Sequence, residues 1–403
     1  MSDSDAKVIA DLSLYNSWVG RVLYNFILPI KYAELEPTDI INIQVGSQNN
    51  VMRIINTQFG DPGMMKVLAV KEDISAYDFY SQPGNTSNDL DVVNDVGDTT
   101  VSLLDLPAFP TDEESSGTLR YAVTGQESAW KGAALYRSDD DGANYQLVAS
   151  FPSSSVIGVT TTILADGNID YFDEANTVTV SITGIGQLSG ASELAVLNGA
   201  NLAKIGSEII QFKNAALVSN GKYTLSGLLR GRLGTEWATA SHTEGEEFVL
   251  LDNNLAKESL SNDVIGLSRK YKAVSVGKGL ADTQSFDFTY NANSLKPFSP
   301  VHISGIRDGS GNLTISWLRR ARVNGGWKDN VDVPLDENEE LYEVEIMNGS
   351  NVVRTISDIM SNSVNYSAAD QTTDFGSAQS SVSVKIYQIS SVVGRGVSGD
   401  EIV

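Results

Sequence analysis

The segment from Tyr223 to Asp252 constrains the fold of this chain more than any other part of the sequence. It reads YTLSGLLRGRLGTEWATASHTEGEEFVLLD and begins as a strand whose apolar side chains would face a core, at Tyr223, Leu225 and Leu228. It ends in an apolar run, Phe248–Leu251. Its middle carries three closely spaced glycines, Gly227, Gly231 and Gly234. Glycine at such spacing indicates backbone that turns sharply or approaches another segment closely.

The composition favours short strands and turns over long helices. With 403 residues, 41% of them hydrophobic and only 20% charged, the chain has the profile of a folded protein with two to four domains. Its 35 glycines and its frequent Val, Ile, Ser and Asn residues are typical of β-structure. We therefore expect a mainly β protein made of tandem small β domains, with one short N-terminal helix.

Turn signals divide the chain into four predicted parts. Residues 1–90 form a β domain whose N-terminal helix spans 5 to about 19, and a polar linker follows at 81–100. Residues 101–174 and 256–292 together make a discontinuous β-sandwich. The glycine-rich segment 175–255 is a β domain inserted into it. Residues 297–403 form a C-terminal β-sandwich of immunoglobulin or fibronectin type, because seven short strand-like segments alternate there, including 326–331, with Trp317 and Tyr387 as core aromatics.

Charge and cysteine content exclude several functions. The chain has 51 acidic and 28 basic residues, a net charge of −23, so we expect no stable nucleic-acid binding, which needs Lys and Arg against phosphate. It has no cysteine, which excludes disulfides, thiolate metal sites and a cysteine nucleophile. The polar start MSDSDAKVIA is unlike a secretory signal, and the apolar runs are too short for a membrane span. We expect synthesis in the cytoplasm.

Two short motifs have structural interpretations. Ser138–Tyr145 fits S-x-D-x-G-x-x-aromatic, the Asp-box hairpin, in which the aspartate binds turn amides and glycine permits positive φ. A calcium site there would need six to eight oxygen ligands, so a stable hairpin is the favoured interpretation. The GxGxxG pattern at Gly394, Gly396 and Gly399 has no following helix to receive a pyrophosphate, and we interpret these glycines as turns.

The sequence offers no catalytic, cofactor-binding or metal-binding residues. The only histidines, His242 and His302, are 60 residues apart, and no HExxH, GxSxG or Walker motif is present. His242, beside Glu244, is expected to make structural hydrogen bonds, with a pH-sensitive contact as the alternative. Two arginine groups stand out, Arg230 with Arg232, and Arg319, Arg320 and Arg322 between Trp317 and Trp327. They serve either internal pairing, for instance with Glu236 or Asp329, or assembly contacts with acidic neighbours.

Several segments resemble one protein family. LLRGRLGTEWA followed by His242 and GEEFVLL, together with LNGANLAKIGSEIIQF at Leu197–Phe212, is similar to the C-terminal half of phage tail-tip hub ("megatron") proteins. SLKPFSPVHISG, the segment Leu313–Ile346 and VKIYQISSVVGRG resemble the fibronectin type III-like C-terminal domain of that family. FILPIKYAELEPTDIINI at Phe26–Ile43 resembles a strand pair of the hub domain. The resemblance touches nearly the whole chain, most strongly over 197–251 and 294–396.

The resemblance implies a structural role in the virion of a long-tailed phage (siphophage) or a gene transfer agent. Such a protein closes the tail tube at the tip or baseplate, anchors peripheral fibre proteins and takes part in host attachment and DNA delivery. It implies a homotrimer in contact with upstream hub or distal tail proteins. The acidic surplus of the chain serves either solubility alone or, in such a tail, an acidic wall past which DNA moves without adhering. Family members carry a long N-terminal half before this region, so we expect either a hub split between two genes or a shortened relative.

Two other functions remain open from the sequence. A glycan-binding adhesion module, with indirect contact to a host receptor, would show an exposed aromatic platform. A virion-associated polysaccharide hydrolase would need a cleft with paired carboxylates, but acidic residues are so abundant that no pair stands out. We expect a structural protein and not an enzyme.

Overall fold

The computed structural model describes residues 10, 13–60, 63–73, 96–112, 116–326, 329 and 331–403, and these are mainly β, as predicted. The chain divides into two compact units, Met1–Val93 and Asn94–Val403.

The first unit contains one antiparallel sheet. Its strands are β1 (Leu23–Pro29), β2 (Ile40–Val45), β3 (Gln48–Phe59) and β4 (Met64–Lys71), in the order β1-β4-β3-β2. Alternate residues on one face form a small core around Ile54, Met65 and Val67. Residues 13–19 are helical (α1), and the rest of the predicted helix, apart from residue 10, lies outside the described residues.

The second unit begins with a two-sheet sandwich. One sheet contains β5 (Thr99–Leu104), β6 (Gly117–Gly125) and β15 (Ala256–Leu260), and the other β7 (Ala133–Ser138), β8 (Gln146–Phe151), β16 (Ser268–Ser275) and β17 (Phe286–Thr289). Tyr121 of the first sheet and Leu135 and Tyr271 of the second share one core. Of the predicted linker 81–100, residues 81–95 lie outside the described residues, and Thr99 already begins β5, so the linker prediction was too long at its end.

A closed six-stranded barrel lies in sequence between the two halves of the sandwich. Its strands are β9 (Ile157–Thr160), β10 (Val178–Thr183), β11 (Leu202–Ile205), β12 (Glu208–Ser219), β13 (Lys222–Leu229) and β14 (Glu247–Leu250), in the order β10-β13-β12-β11-β14-β9. The barrel therefore starts well before residue 175, where the sequence analysis began the inserted domain. The reason is that β9 closes the barrel by pairing with both β10 and β14.

The barrel and the sandwich share an apolar seam. Leu104 and Ala122 of the sandwich form one buried cluster with Ile157, Ile209 and Val249 of the barrel. Such contiguous burial is what holds neighbouring domains in a fixed arrangement. The independent folding of each predicted domain stays a prediction.

The C-terminal part is a second two-sheet sandwich. One sheet contains β18 (Val301–Arg307), β19 (Leu313–Leu318) and β22 (Ser363–Tyr366), and the other β20 (Tyr342–Asn348), β21 (Asn351–Ile359), β23 (Ser383–Ser390), β24 (Gly394–Arg395) and β25 (Gly399–Ile402). The predicted strand at 326–331 was wrong, since none of its described residues is in a strand. The fibronectin type III assignment stays a prediction.

The aromatic core of this sandwich differs in part from the expectation. Trp317 is 1% exposed and packs edge-to-face on Tyr342, with ring centroids 5.1 Å apart. Tyr387, the other predicted core aromatic, is only half-buried and lies beneath the guanidinium of Arg395. Val384 and Ile386 are buried, and successive side chains of a strand point to opposite faces. Tyr387, directly after Ile386, therefore points to the opposite face of β23.

Two short helices add to the predicted one. They are α2 (Glu193–Leu197) and α3 (Ala368–Phe375). The hydroxyl groups of Ser192 and Ser367 accept hydrogen bonds from backbone amides of the first turns, which is the usual N-cap arrangement.

Candidate interaction site around the signature loop

The segment 230–246 between β13 and β14, called the signature loop here, depends on its glycines as predicted. Gly231 and Gly234 adopt left-handed backbone, with φ of 59° and 80°. A Cβ atom at residue 231 would lie 2.8 Å from Glu236, and one at residue 234 would lie 2.5 Å from the ring of Phe298. Both the turn and the close approach therefore require glycine.

Arg230 forms a buried ion pair with Glu208. The Arg230 Nε donates to Glu208 Oε1 at 2.9 Å and Nη2 donates to Oε2 at 2.9 Å, and neither side chain is exposed. The same carboxylate also accepts the amide hydrogen of Gly231 at 2.6 Å. Such a bidentate, charge-assisted pair fixes the geometry of both groups.

The rest of the Arg230 guanidinium joins the loop to other segments. Nη1 donates to the Ala165 carbonyl at 2.8 Å and to Asp173 Oδ2 at 3.3 Å, and Nη2 donates to the Thr239 carbonyl at 3.1 Å. Of the two example partners given for the arginine groups, Glu236 pairs with Arg320, and other carboxylates are the internal partners of Arg230. Glu208 and Asp173 take that role, so this arginine is internal and holds the base of the loop.

His242 bridges two carboxylates. Its Nε2 lies 2.7 Å from Glu208 Oε2 and its Nδ1 lies 2.7 Å from Glu246 Oε2. Burial lowers the pKa of His242, but the hydrogen bonds to Glu208 and Glu246 outweigh it and raise the pKa above the usual value. Burial raises the pKa of Glu208, and the bonds from His242 and Arg230 outweigh that and lower it. The expected structural hydrogen bonds are present, with Glu208 and Glu246 as partners.

The second arginine group is also paired within the chain. Arg319 Nη2 lies 2.8 Å from Asp332 Oδ2, and Arg322 Nη2 lies 3.1 Å from Glu337 Oε1. Arg320 binds Glu236 of the signature loop at 2.8 Å and so joins the barrel to the C-terminal sandwich. Internal pairing is therefore the observed use of this group; Trp327 lies outside the described residues.

A cleft of about 790 Å³ separates the signature loop from the C-terminal sandwich. One wall is formed by the loop and by Ile169 and Asp170, and the other by residues 299–303 and 398–401. Trp237 lines this cleft with 58% of its surface exposed. Most of the other lining side chains are polar or charged, so the cleft is mainly polar and has one large aromatic surface.

His302 lies on the opposite wall at an irregular point of β18. The register with β19 shifts between Val301 and Ser304, and His302 has a left-handed φ of 51°. Bulges of this kind re-aim a side chain and often lie beside binding sites. The side chain is exposed, and β18 lies at the edge of its sheet.

The Asp-box hairpin between β7 and β8 is structural. Asp140 Oδ1 accepts the Asn144 amide at 2.8 Å, and Ser138 Oγ accepts the Gly142 amide at 2.8 Å. The bonds from Asn144 and Ser138 lower the pKa of Asp140 to about 2. Its carboxylate oxygens are thus used by the turn.

The GxGxxG glycines serve close packing. A Cβ at Gly396 would lie 2.6 Å from the Pro297 carbonyl oxygen, and one at Gly399 would lie 2.3 Å from that of Pro300. The end of the chain therefore lies directly against the joint at 297–300. These contacts give the glycines a structural role at close turns of the chain.

The described residues contain no group of three or more His, Asp or Glu side chains arranged to hold a metal ion. No helix within the described ranges is long and apolar enough to cross a membrane.

Three components of this site, Glu208, Asp173 and Trp237, were not among the residues singled out from the sequence. Glu208 and Asp173 are ordinary acidic residues in an acidic chain, and nothing local marks them as partners of Arg230. The exposure of Trp237 could have been predicted from the sequence, because a tryptophan inside a glycine-rich loop has few neighbouring side chains to cover it.

Two families match parts of the chain. The family described as "Rcc01698-like, C-terminal" matches residues 155–249, which is the range of the barrel. The family described as "Putative phage tail protein" matches residues 1–57, within the first unit. No curated protein matches the chain.

A solved structure titled "Crystal structure of chicken CNTN1 FN1-FN3 domains" aligns with 76% of this chain and 98% of its own, at 8% identity and a TM-score of 0.19. At that score the alignment supports no further statement. The match over residues 1–57 relates the chain to phage tail proteins and supports a structural role in the virion, among other tail proteins.

Proposed function

We propose that this protein is a tail-tip or baseplate hub component of a long-tailed phage or a related particle. In this role it closes the tail tube, anchors peripheral fibre or tip proteins and takes part in host attachment and DNA delivery. It acts as a homotrimer and performs no catalysis. The match of residues 1–57 to a phage tail family is the observation that carries the proposal.

The first unit has the surface that such an assembly contact needs. Of the 34 exposed large hydrophobic side chains in the described residues, 14 lie between Leu14 and Met64. Leu23 and Ile27, at alternate positions of β1, are 61% and 57% exposed. Soluble monomers rarely leave so dense a set of apolar side chains in water, and such sets usually mark protein interfaces.

The C-terminal sandwich suits a peripheral position in the same assembly. It joins the rest of its unit through contacts such as the Arg320–Glu236 ion pair and the close approach of the Phe298 ring to Gly234. A rigid outer domain of this kind can carry a fibre protein.

Images of particles test the proposal. We expect three copies at the tail tip, with the first unit near the axis and the 297–403 domain at the periphery. Copies along the tail tube or on the capsid would overturn it.

Complementation of particles lacking this protein gives a second test. Ile27→Asp in the first unit should reduce incorporation, because a buried charge without a partner is costly at an interface. Ile306→Asp is the matched control, since Ile306 is 73% exposed in the C-terminal sandwich. Equal incorporation of both variants would contradict the assigned interface.

A further inference from the structure

The cleft beside the signature loop has an aromatic side chain that the fold does not use. Among the tryptophans in the described residues, Trp130 and Trp317 are buried, Trp18 and Trp237 are 65% and 58% exposed, and Trp237 lines the cleft. Leaving an indole in water forgoes the large gain of burying it. A side chain kept in this position on a tightly fixed loop indicates a ligand that covers it.

The chemistry around Trp237 suits a carbohydrate. The face of an indole carries partial negative charge, and the C–H groups on one side of a sugar ring carry partial positive charge, so the two stack. Around the indole, Asp170 and Glu401 offer carboxylate acceptors and Arg232 offers guanidinium donors. Ring hydroxyl groups need both kinds of partner. A peptide-binding groove would show a more continuous apolar floor.

The charge of the cleft selects a neutral ligand. The lining contains the carboxylates of Asp170, Glu236, Asp400 and Glu401 and the guanidinium groups of Arg230, Arg232 and Arg320. Arg230 is paired with Glu208, Arg320 with Glu236 and Asp400 with Lys385, so these charges are neutralised. The charges left in the lining are those of Asp170, Glu401 and Arg232, a small acidic surplus in a chain of net charge −23, which disfavours anionic polymers.

Both walls are held in place before a ligand arrives. The loop wall is fixed by the buried Arg230–Glu208 pair, and Gly399 lies so close to Pro300 that a Cβ there would be 2.3 Å from its carbonyl oxygen. On the second wall the bulge at His302 turns an imidazole outward. Preorganised walls reduce the entropy lost on binding.

We propose that this cleft binds a short neutral oligosaccharide, with a sugar ring stacked on Trp237 and its hydroxyl groups bound by Asp170, Arg232 and Glu401. The volume of about 790 Å³ lies within the range of small-ligand sites, roughly 300–1,000 Å³. The proposal does not depend on the hub assignment, because it concerns the isolated chain in solution.

Calorimetric titration of the full chain with defined hexasaccharides tests it. The probes are chitohexaose, maltohexaose, cellohexaose and mannohexaose, with an alginate hexamer as the anionic comparison. At least one neutral probe should bind with a sub-millimolar Kd, and alginate should not. Trp237→Ala should weaken that binding by about tenfold or more.

A matched variant separates recognition from folding. Trp18→Ala removes a tryptophan that is 65% exposed in the other unit and should leave sugar binding unchanged. The melting temperature of Trp237→Ala should equal that of the wild type, because the side chain is largely in water. Absence of binding by all four neutral probes, or equal binding by Trp237→Ala, would overturn the proposal. So would a tail protein that binds at Trp237 while no sugar does.

Discussion

Arg230 and Glu208 face each other in a fully buried bidentate pair, with Nε–Oε1 and Nη2–Oε2 distances of 2.9 Å each. Glu208 is the first residue of β12, and Arg230 follows directly after β13. The pair therefore connects a barrel strand to the signature loop that forms one wall of the cleft. The loss of this pair should loosen both the barrel strand and the signature loop.

Arg230→Met should destabilise the barrel by roughly 3–5 kcal/mol. The substitution leaves Glu208 buried with one cation fewer, and an uncompensated buried charge is costly. Urea unfolding followed by circular dichroism measures the change.

Arg232→Met is the control for this prediction. Arg232 is exposed and, within the part of the chain that the structure describes, its side chain donates one hydrogen bond, from Nε to Gln211 Oε1 at 3.1 Å, so its loss should change the stability little. Equal destabilisation by both variants would show that the buried pair has no special role.

The stability of the barrel should depend on pH through His242. Both ring nitrogens face carboxylates, an arrangement that needs the doubly protonated ring. Because the folded pKa is raised above the ordinary value of 6.5, the contribution is complete below that value and is lost as the pH rises through the folded pKa. His242→Gln should therefore cost more stability at pH of about 6 than at pH of about 9.

The other histidine provides the comparison. His302→Gln changes an exposed side chain at the cleft and should keep the wild-type pH dependence of unfolding. A stability difference between wild type and His242→Gln that stays constant across this pH range would contradict the bridging role.

Local features of this fold could be predicted from the sequence, and pairings over long distances could not. Glycine at 231 and 234 and the Asp-box turn around Asp140 depend on neighbouring residues, so their backbone could be inferred. The partnership of Arg230 with Asp173 joins residues 57 positions apart in an acidic chain, where many carboxylates were equally plausible. The early start of the barrel has the same cause, because β9 is defined only by distant partners.

Tyr387 shows a different kind of error. Val384 and Ile386 are two positions apart, so the sequence already indicates that their face of β23 is the buried one. Tyr387 follows Ile386 directly and therefore lies on the other face of the strand. Aromatic character was given more weight than position. The aromatics that join Trp317 in this core are Tyr342, on the neighbouring strand β20, and Tyr366, on β22.

The purified protein should not retain duplex DNA even at low salt. Net charge is −23, and Arg230, Arg320 and Arg322 are engaged by carboxylates within the chain. The acidic surplus therefore repels phosphate, and these three guanidinium groups are not free to displace counterions from it. A gel-shift experiment at low ionic strength measures this, and tight, salt-sensitive binding would contradict the proposed non-adhering DNA path.

Residues 297–403 should unfold cooperatively as an isolated fragment, with Trp317 at the centre of their core. Trp317→Ala should lower the free energy of unfolding by roughly 3–5 kcal/mol, because it opens a cavity beside Tyr342. Tyr387→Ala is the control and should cost clearly less, since that ring is only half-buried on the outer face of β23. Chemical denaturation of the three fragments measures both effects. A fragment without a cooperative transition would show that the sandwich needs its contacts to the barrel, of which Arg320–Glu236 is one.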